Sequence, residues 1–240
     1  MDKLEKKELL YEGKAKMVFA TDQEGVLIQE FKDDASAFDG EKKGKIKNKG
    51  SINNQMSAKI FDLLKLHDIP NHYIKTLSEN EMVIMSLDMF RVEAIIRNRA
   101  AGSAVRNYGF EKGMKFERPV YELHLKDDSY HDPLMNEEQV LAMELATQSE
   151  IKEIEEHTRK VNEVLSDFFD TIGIELIDFK LEFGKGPDGK IYIGDEISPD
   201  SCRFWDKETG ESVDKDRFRF DMGRVEEAYS DIFQRVMTAN

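Results

Sequence analysis

A chain of 240 residues, 40% of them hydrophobic, is long enough for one large domain or two small ones and can bury a sizeable core. A formal net charge of -14 sets a repulsive field against nucleic acid, whereas a small anion needs only a local cationic pocket. No apolar run approaches the roughly 20 residues that span a bilayer, the opening Met1-Asp2-Lys3-Leu4-Glu5-Lys6-Lys7 lacks the apolar stretch of a signal peptide, and the single Cys202 permits no internal disulfide, so the chain is expected in the cytoplasm, without thiol chemistry.

The first third reads as short antiparallel strands over residues 9–12, 16–20 and 26–31, separated by turns at 13–15 and 21–25. Residues 33–39 read as an exposed, carboxylate-rich turn, and the lysine-rich run 42–49 reads as a solvated loop, with closure over a substrate as the alternative. Were Asp39, Lys49 and Asn53 to face one cleft, they would bind a polar substrate or organise a metal. Ser51 is the expected N-cap of a helix in which Ile52, Met56, Ile60, Leu63 and Leu64 recur at helical spacing, ended by Asp68-Ile69-Pro70. Strands follow at 72–76, 81–86 and 92–98, and the break at 87–90 is the candidate boundary between lobes 1–88 and 89–240.

Beyond it come a strand at 119–125, a loop at 126–133 and a short helix after Asn136. Thr147 and Glu150 fit a capping box for a long helix that Gly173 stops, with His157 as a packing residue on its apolar stripe. Further strands cover 177–183 and 191–196. A last helix over 224–237 packs its apolar side on the rest of the chain or, if that side is exposed, permits a homodimer.

The most informative charges lie in the 177–183 and 191–196 segments. Asp178, Lys180 and Glu182 alternate with Ile177, Phe179, Leu181 and Phe183, so a strand places all three charges on one face. A two-residue turn at Asp188-Gly189 would set Glu182 opposite Asp195. Like charges directly opposite destabilise a sheet unless a cation lies between them, and an oxygen-only pair beside a lysine suits magnesium shared with nucleotide phosphates. A solvated sheet face of mixed charge is the alternative. Gly13-Lys14-Ala15-Lys16 offers backbone N–H groups and two ammonium ions to phosphates, or else is an ordinary hairpin; neither the Walker A spacing nor a G-x-G-x-x-G occurs. Arg97 and Arg99, followed by Ala100-Ala101-Gly102-Ser103, suit an oxyanion site at a helix start, or a salt-bridged strand end. Arg203 sits in a second element of this kind, beside Trp205 as a packing anchor.

Five ordered segments together resemble the SAICAR synthetase family of purine biosynthesis: Y-E-G-K-A-K at 11–16, D-A-S-A-F-D-G at 34–40, V-E-A-I-I-R-N-R-A-A-G-S at 92–103, I-D-F-K-L-E-F-G at 177–184 and G-D-E-I-S-P-D-S-C-R at 194–203. The resemblance covers nearly the whole chain. It implies a two-lobed α+β fold related to ATP-grasp enzymes and kinases, with a strand-rich N-terminal lobe, a larger mixed C-terminal lobe and ATP between them. It implies ATP-dependent ligation of L-aspartate to the carboxylate of carboxyaminoimidazole ribotide (CAIR), giving SAICAR, ADP and phosphate. By position it puts Lys14, Ala15 and Lys16 on the nucleotide phosphates, Leu87, Asp88 and Met89 at the adenine, and Asp178, Glu182 and Asp195 around Mg2+, with Lys180 close to the phosphates. Arg97, Ser103 and Arg203 would bind the ribotide, Lys126 and the loop through Asp132 would lie along the substrate channel, and Asp39 or Asp200 would take the proton of the attacking amine. Many relatives carry a lysine just before the Leu-Asp-Met stretch, where this chain has Met85-Ser86, so Lys14, Lys16 or Lys180 must replace that cation.

A small-molecule or protein kinase is the competing enzyme class, although no His-Arg-Asp loop or Asp-Phe-Gly triplet is present. A non-catalytic module that binds magnesium-ATP is the third reading.

Overall fold

The computed structural model describes residues 4–37 and 40–239. Strands β1 (Lys6–Glu12), β2 (Lys16–Thr21) and β3 (Val26–Phe31) follow the expected runs within two or three residues at their ends. The next segment departs from expectation. Residues read as a turn and a flexible loop form a hairpin, β4 (Asp34–Ala37) with β5 (Lys42–Lys45), paired from Asp34↔Lys45 to Ala37↔Lys42. Lysine replaces the apolar alternation that marks a strand, so the pairing has no local signal. The hairpin is held from a distance, where Lys42 Nζ donates to Phe218 O at 2.6 Å and to Asp221 Oδ1 at 2.6 Å.

Helix α1 (Lys49–Leu66) starts two residues before the expected Ser51 cap. Its N-terminus is capped from outside, since Asp33 Oδ1 accepts from Gly50 N at 2.9 Å and Asp33 Oδ2 from Asn48 N at 3.2 Å. Ser51 instead accepts a hydrogen bond from Gln55. Strands β6 (Tyr73–Thr76) and β7 (Glu81–Met85) complete an antiparallel sheet in the order β1-β2-β3-β7-β6, against which α1 packs Met56, Ile60, Phe61 and Leu64, all fully buried.

The chain then enters β8 (Asp88–Arg99), the long central strand of a second antiparallel sheet. After α2 (Ser103–Tyr108) come β9 (Lys115–Leu125), β10 (Leu134–Met135), α3 (Glu137–Ala142) and α4 (Gln148–Thr171). The capping box is present in α4: Thr147 Oγ1 accepts from Glu150 N, and Glu150 Oε2 accepts from Thr147 N. Gly173, at φ +74°, follows its end. Strands β11 (Ile174–Lys185), β12 (Ile191–Gly194) and β13 (Cys202–Asp206) then complete the sheet, in which β11 pairs with β8, β12 and β13. Ile177, Phe179, Leu181 and Phe183 of β11 are buried, and α4 covers this sheet with Ile154, Val161, Leu165 and Phe169. Cys202, opposite Phe179, is 1% exposed.

Helices α5 (Asp216–Arg219) and α6 (Val225–Thr238) end the described chain. The apolar side of α6 is not a free surface. Ala228, Tyr229, Ile232 and Val236 are buried, and α6 packs on α1. No described helix is long and apolar enough to cross a membrane.

Candidate active site

A cleft of about 1240 Å³ lies where the two sheets meet, walled by the 10–16 hairpin, the β4–β5 hairpin, the 84–89 segment, β11, and residues 195–201 and 215–219. Gly13 sits under the Tyr11 ring in the 10–16 hairpin, where a Cβ would lie 2.8 Å from the Tyr11 hydroxyl and would push that exposed side chain aside. Lys14 reaches across the cleft mouth to Asp128 Oδ1 at 2.9 Å, joining the first sheet to the 126–133 loop. Lys16 points inward, paired with Asp195 and, at 3.1 Å, with Glu196.

The alternating charges of β11 do share one face, which is not a solvated surface: Lys180 and Glu182 form part of the cleft wall, while Asp178 is buried beside it. Glu182 is 4% exposed and pairs with Lys180 at 2.9 Å and with Lys126. Burial would raise its pKa, but Lys180, Lys126 and Lys16 outweigh that and hold it far below the usual carboxylate range. Burial likewise opposes the charge on Lys180, and Glu182 and Glu93 overcome it to raise the ammonium well above its ordinary value.

The β11–β12 register differs from the expected one by one residue. Glu182 stands opposite Gly194, not Asp195. The turn is not the two-residue Asp188-Gly189 type: Gly189 N donates to Gly186 O at 2.9 Å, so Pro187 and Asp188 occupy the bend while Gly189 follows at φ +77°. The like-charged cross-strand neighbour of Glu182 is Glu93 on β8, and Lys180 Nζ bridges the two, 2.6 Å from Glu93. Asp195 lies one residue past β12 at φ +61°, a left-handed conformation, and its carboxylate meets Lys16 in the cleft.

Arg97, Ser103 and Arg203 do come together, yet none of the three lines the main cleft. Arg97 donates to Ser103 Oγ at 2.8 Å, Glu122 Oε2 at 2.8 Å and Asp178 Oδ2 at 3.2 Å. Arg203 donates to Asp178 at 2.9 Å and to Asp216 at 2.8 Å. Asp178 therefore joins two guanidinium groups rather than facing Glu182 and Asp195. Glu122 is carried down to about 2, burial being outweighed by His124 and Arg97. Gly102 admits the Arg203 fork, since a Cβ would lie 2.6 Å from its Nη2.

Leu87 and Met89 line the cleft, whereas Asp88 lines a neighbouring hollow of about 620 Å³. Asp200 is in the cleft and doubly held, by Lys49 Nζ at 2.5 Å and by the Tyr229 hydroxyl at 2.8 Å. Burial pushes its pKa up, but Lys49 and Lys215 bring it to about 2, which makes Asp200 an ion-pair partner rather than a ready proton acceptor. Asp39 lies outside the described residues. Lys49, read as part of a solvated run, is 1% exposed; Asn53 is fully buried, and neither polar atom of its side chain has a partner.

Several wall residues carried no sequence signal that singled them out. Lys215 and Arg219 stand beside Asp200 and Ser201, and burial followed by the charge of Arg219 brings the Lys215 ammonium down to about 7. His72 and Gln29, both buried, also reach the cleft. His72 stays neutral because burial, then Lys16, lowers it to about 3.

Two antiparallel sheets meeting on a cleft of paired lysines and carboxylates define an α+β enzyme built to hold a polyanionic nucleotide. Comparison with known proteins narrows the class. The SAICAR synthetase family profile matches residues 9–236. A phosphoribosylaminoimidazole-succinocarboxamide synthase of Desulfitobacterium hafniense is 54% identical over 233 residues, 97% of this chain and 98% of that protein. A solved SAICAR synthetase in complex with ADP superposes with a TM-score of 0.92 at 46% identity, over 95% of this chain and 97% of the other. The synthase of Ehrlichia chaffeensis superposes with a TM-score of 0.94 at 37% identity, over 97% and 99%. The chain belongs to the SAICAR synthetase family.

Proposed function

We propose that the chain ligates L-aspartate to the carboxylate of CAIR at the expense of ATP, forming SAICAR, ADP and phosphate in purine biosynthesis. The reading rests on one observation above the others: family similarity runs from residue 9 to 236 and so takes in every wall of the lysine–carboxylate cleft. Cytoplasmic placement follows from that pathway. Residues 1–88 act as the nucleotide lobe and 89–240 as the lobe carrying the ribotide and the metal carboxylates.

Lys14, Ala15 and Lys16 hold the phosphates, and Leu87 and Met89 sandwich the base. Gly184 and Gly194 allow that last arrangement, since a Cβ on Gly184 would lie 2.7 Å from Leu87 Cβ and one on Gly194 3.0 Å from Met89 Cε. Arg97, Ser103 and Arg203 receive the ribotide's phosphate, and Asp178 keeps the two forks in register. Lys126 follows the substrate along the 126–133 loop.

A carboxylate is a poor electrophile and ATP is an anion, and two unit charges 4 Å apart repel by about 4 kcal/mol at an effective dielectric near 20. Lys16, Lys126 and Lys180 offset that repulsion. One CAIR carboxylate oxygen attacks the γ-phosphorus and ADP departs, leaving an acyl phosphate. The aspartate nitrogen then attacks the carbonyl carbon, phosphate leaves with the C–O bond electrons, and the nitrogen gives up a proton. A base poised near neutrality suits that last transfer better than a carboxylate held near 2, and Lys215 has such a value.

Glu182 and Asp195 supply oxygen donors only. Among the described residues no trio of His, Cys, Asp or Glu is arranged to hold a metal unaided. That donor set fits Mg2+, which takes one or two carboxylates and completes its shell with phosphate oxygens and water. When bound there, the ion would screen the phosphate charges.

Phosphate release measured with and without L-aspartate and CAIR tests the assignment. Release that requires both acceptors is expected. Stable phosphorylation of a hydroxyl acceptor with no use of aspartate would indicate a kinase, and nucleotide binding without release a non-catalytic module.

A further inference from the structure

The end of β12 is tied to the other sheet by main-chain and side-chain hydrogen bonds. Ile193 N donates to Pro70 O at 3.0 Å, and His72 N donates to Ile193 O at 2.9 Å. Two residues on, Asp195 adopts φ +61°, a left-handed conformation that is disfavoured for a non-glycine residue and persists where its surroundings hold it. Its carbonyl oxygen receives two side-chain hydrogen bonds, from His72 Nε2 at 3.1 Å and from Gln29 Nε2 at 3.3 Å. A carbonyl oxygen can only accept, so the His72 ring carries its hydrogen on Nε2. The two donors are 4% and 2% exposed, which removes competition from water.

The carboxylate of Asp195 meets Lys16, a β2 residue. Each side-chain contact described for Asp195 therefore comes from the amino-terminal sheet or the segment leading into its β6 strand. Glu182, in contrast, is held by Lys180 of its own strand and by Lys126, just past the end of β9. Where the Asp195 carboxylate sits relative to Glu182 depends on the hold of one sheet upon the loop of the other.

We infer that His72 and Gln29 are positioning residues for Asp195: by gripping its peptide oxygen from the opposite sheet, they place its carboxylate so that Asp195 and Glu182 serve one divalent ion together with the nucleotide. The inference rests on the metal role proposed above for those two carboxylates. Outer partners of this kind typically change metal affinity by roughly 10–100-fold when removed.

The test is calorimetric titration of ADP at a series of Mg2+ concentrations and in EDTA, for wild type, His72→Phe, His72→Gln, Gln29→Leu and Asp195→Asn. His72→Phe and Gln29→Leu are expected to raise the Mg2+ concentration that gives half of the Mg2+-dependent gain in ADP affinity by roughly tenfold or more, with ADP affinity in EDTA unchanged. His72→Gln, whose amide N–H can reach the same oxygen, should restore most of the response. A wild-type Mg2+ response in both donor-deleted variants overturns the inference, as does equal weakening of ADP binding in Mg2+ and EDTA, or a His72→Gln protein as impaired as His72→Phe. Should His72→Phe fail to fold, Gln29→Leu carries the same decision at nearly constant volume. Asp195→Asn separates the two layers: a wild-type response there defeats the metal reading itself, whereas an altered response there with none in the His72 and Gln29 variants defeats only the positioning role.

Discussion

The two ends of β11 carry the same kind of charge on the same face and use it differently. At one end Asp178 is locked between Arg97 and Arg203, whose planar forks are further engaged by Glu122 and Asp216. At the other end Glu182 is surrounded by lysines, point charges on flexible stems that can transfer from a carboxylate to a phosphate without losing a fixed geometry. The arginine end is a rigid cluster beside the cleft; the lysine end is the cleft wall. Charge alone does not separate the two regions, but the cation that answers each carboxylate does.

The largest expected effect is at the rigid end. Asp178→Asn leaves the buried Arg97 and the partly buried Arg203 without their shared carboxylate and should cost about 3–5 kcal/mol of stability, read from the shift of the urea unfolding midpoint. A cost below about 1 kcal/mol would mean that water already screens the cluster and would erase the contrast. At the lysine end, Glu182→Gln should lower kcat on the order of 100-fold and raise the Mg2+ requirement, with a smaller stability change than Asp178→Asn. Lys180 keeps Glu93, and Lys126 is exposed enough to turn to water. Wild-type kinetics in that variant would remove Glu182 from the metal site.

The smallest effect sharpens the comparison through pH. Lys215 has a folded value near 7 against an unfolded value near 10.4, so the unfolded chain binds more protons between those limits and stability rises with pH across them. Lys215→Met should therefore stabilise the protein by about 1–2 kcal/mol at and below pH 7, after allowance for partial exposure, with the gain fading towards pH 10. Unfolding midpoints at pH 6.5 and 9.5 check the sign, and turnover should fall in the same variant.

The architecture was legible where a local pattern carries global information. The β11 alternation placed Asp178, Lys180 and Glu182 on one face, and the Thr147/Glu150 box with Gly173 bounded α4. The β4–β5 hairpin was not legible, because lysines pair there against a partner set by distant contacts to Phe218 and Asp221. The β11–β12 register slipped by one because Asp188-Gly189 suits both a two-residue turn and the end of a longer one, and only the Gly189–Gly186 hydrogen bond decides between them. Lys49 looked like one more lysine in a solvated run, yet its ammonium meets Asp200, 151 positions away. His72 and Gln29 sat in unremarkable strand segments. Their bonds to Asp195 exist only once two sheets close on each other, which no periodicity encodes.

Cys202, buried opposite Phe179 with its thiol pushed upward by burial, gives the molecule a built-in gauge of how often the second sheet opens. A thiol-directed reagent in solution can reach this sulfur only during such excursions, so its labelling rate measures breathing of the sheet that carries Glu182. Ligands that bind only the closed form must slow that clock in proportion to their occupancy. Nucleotide engagement can thus be timed on the native polypeptide without an introduced probe.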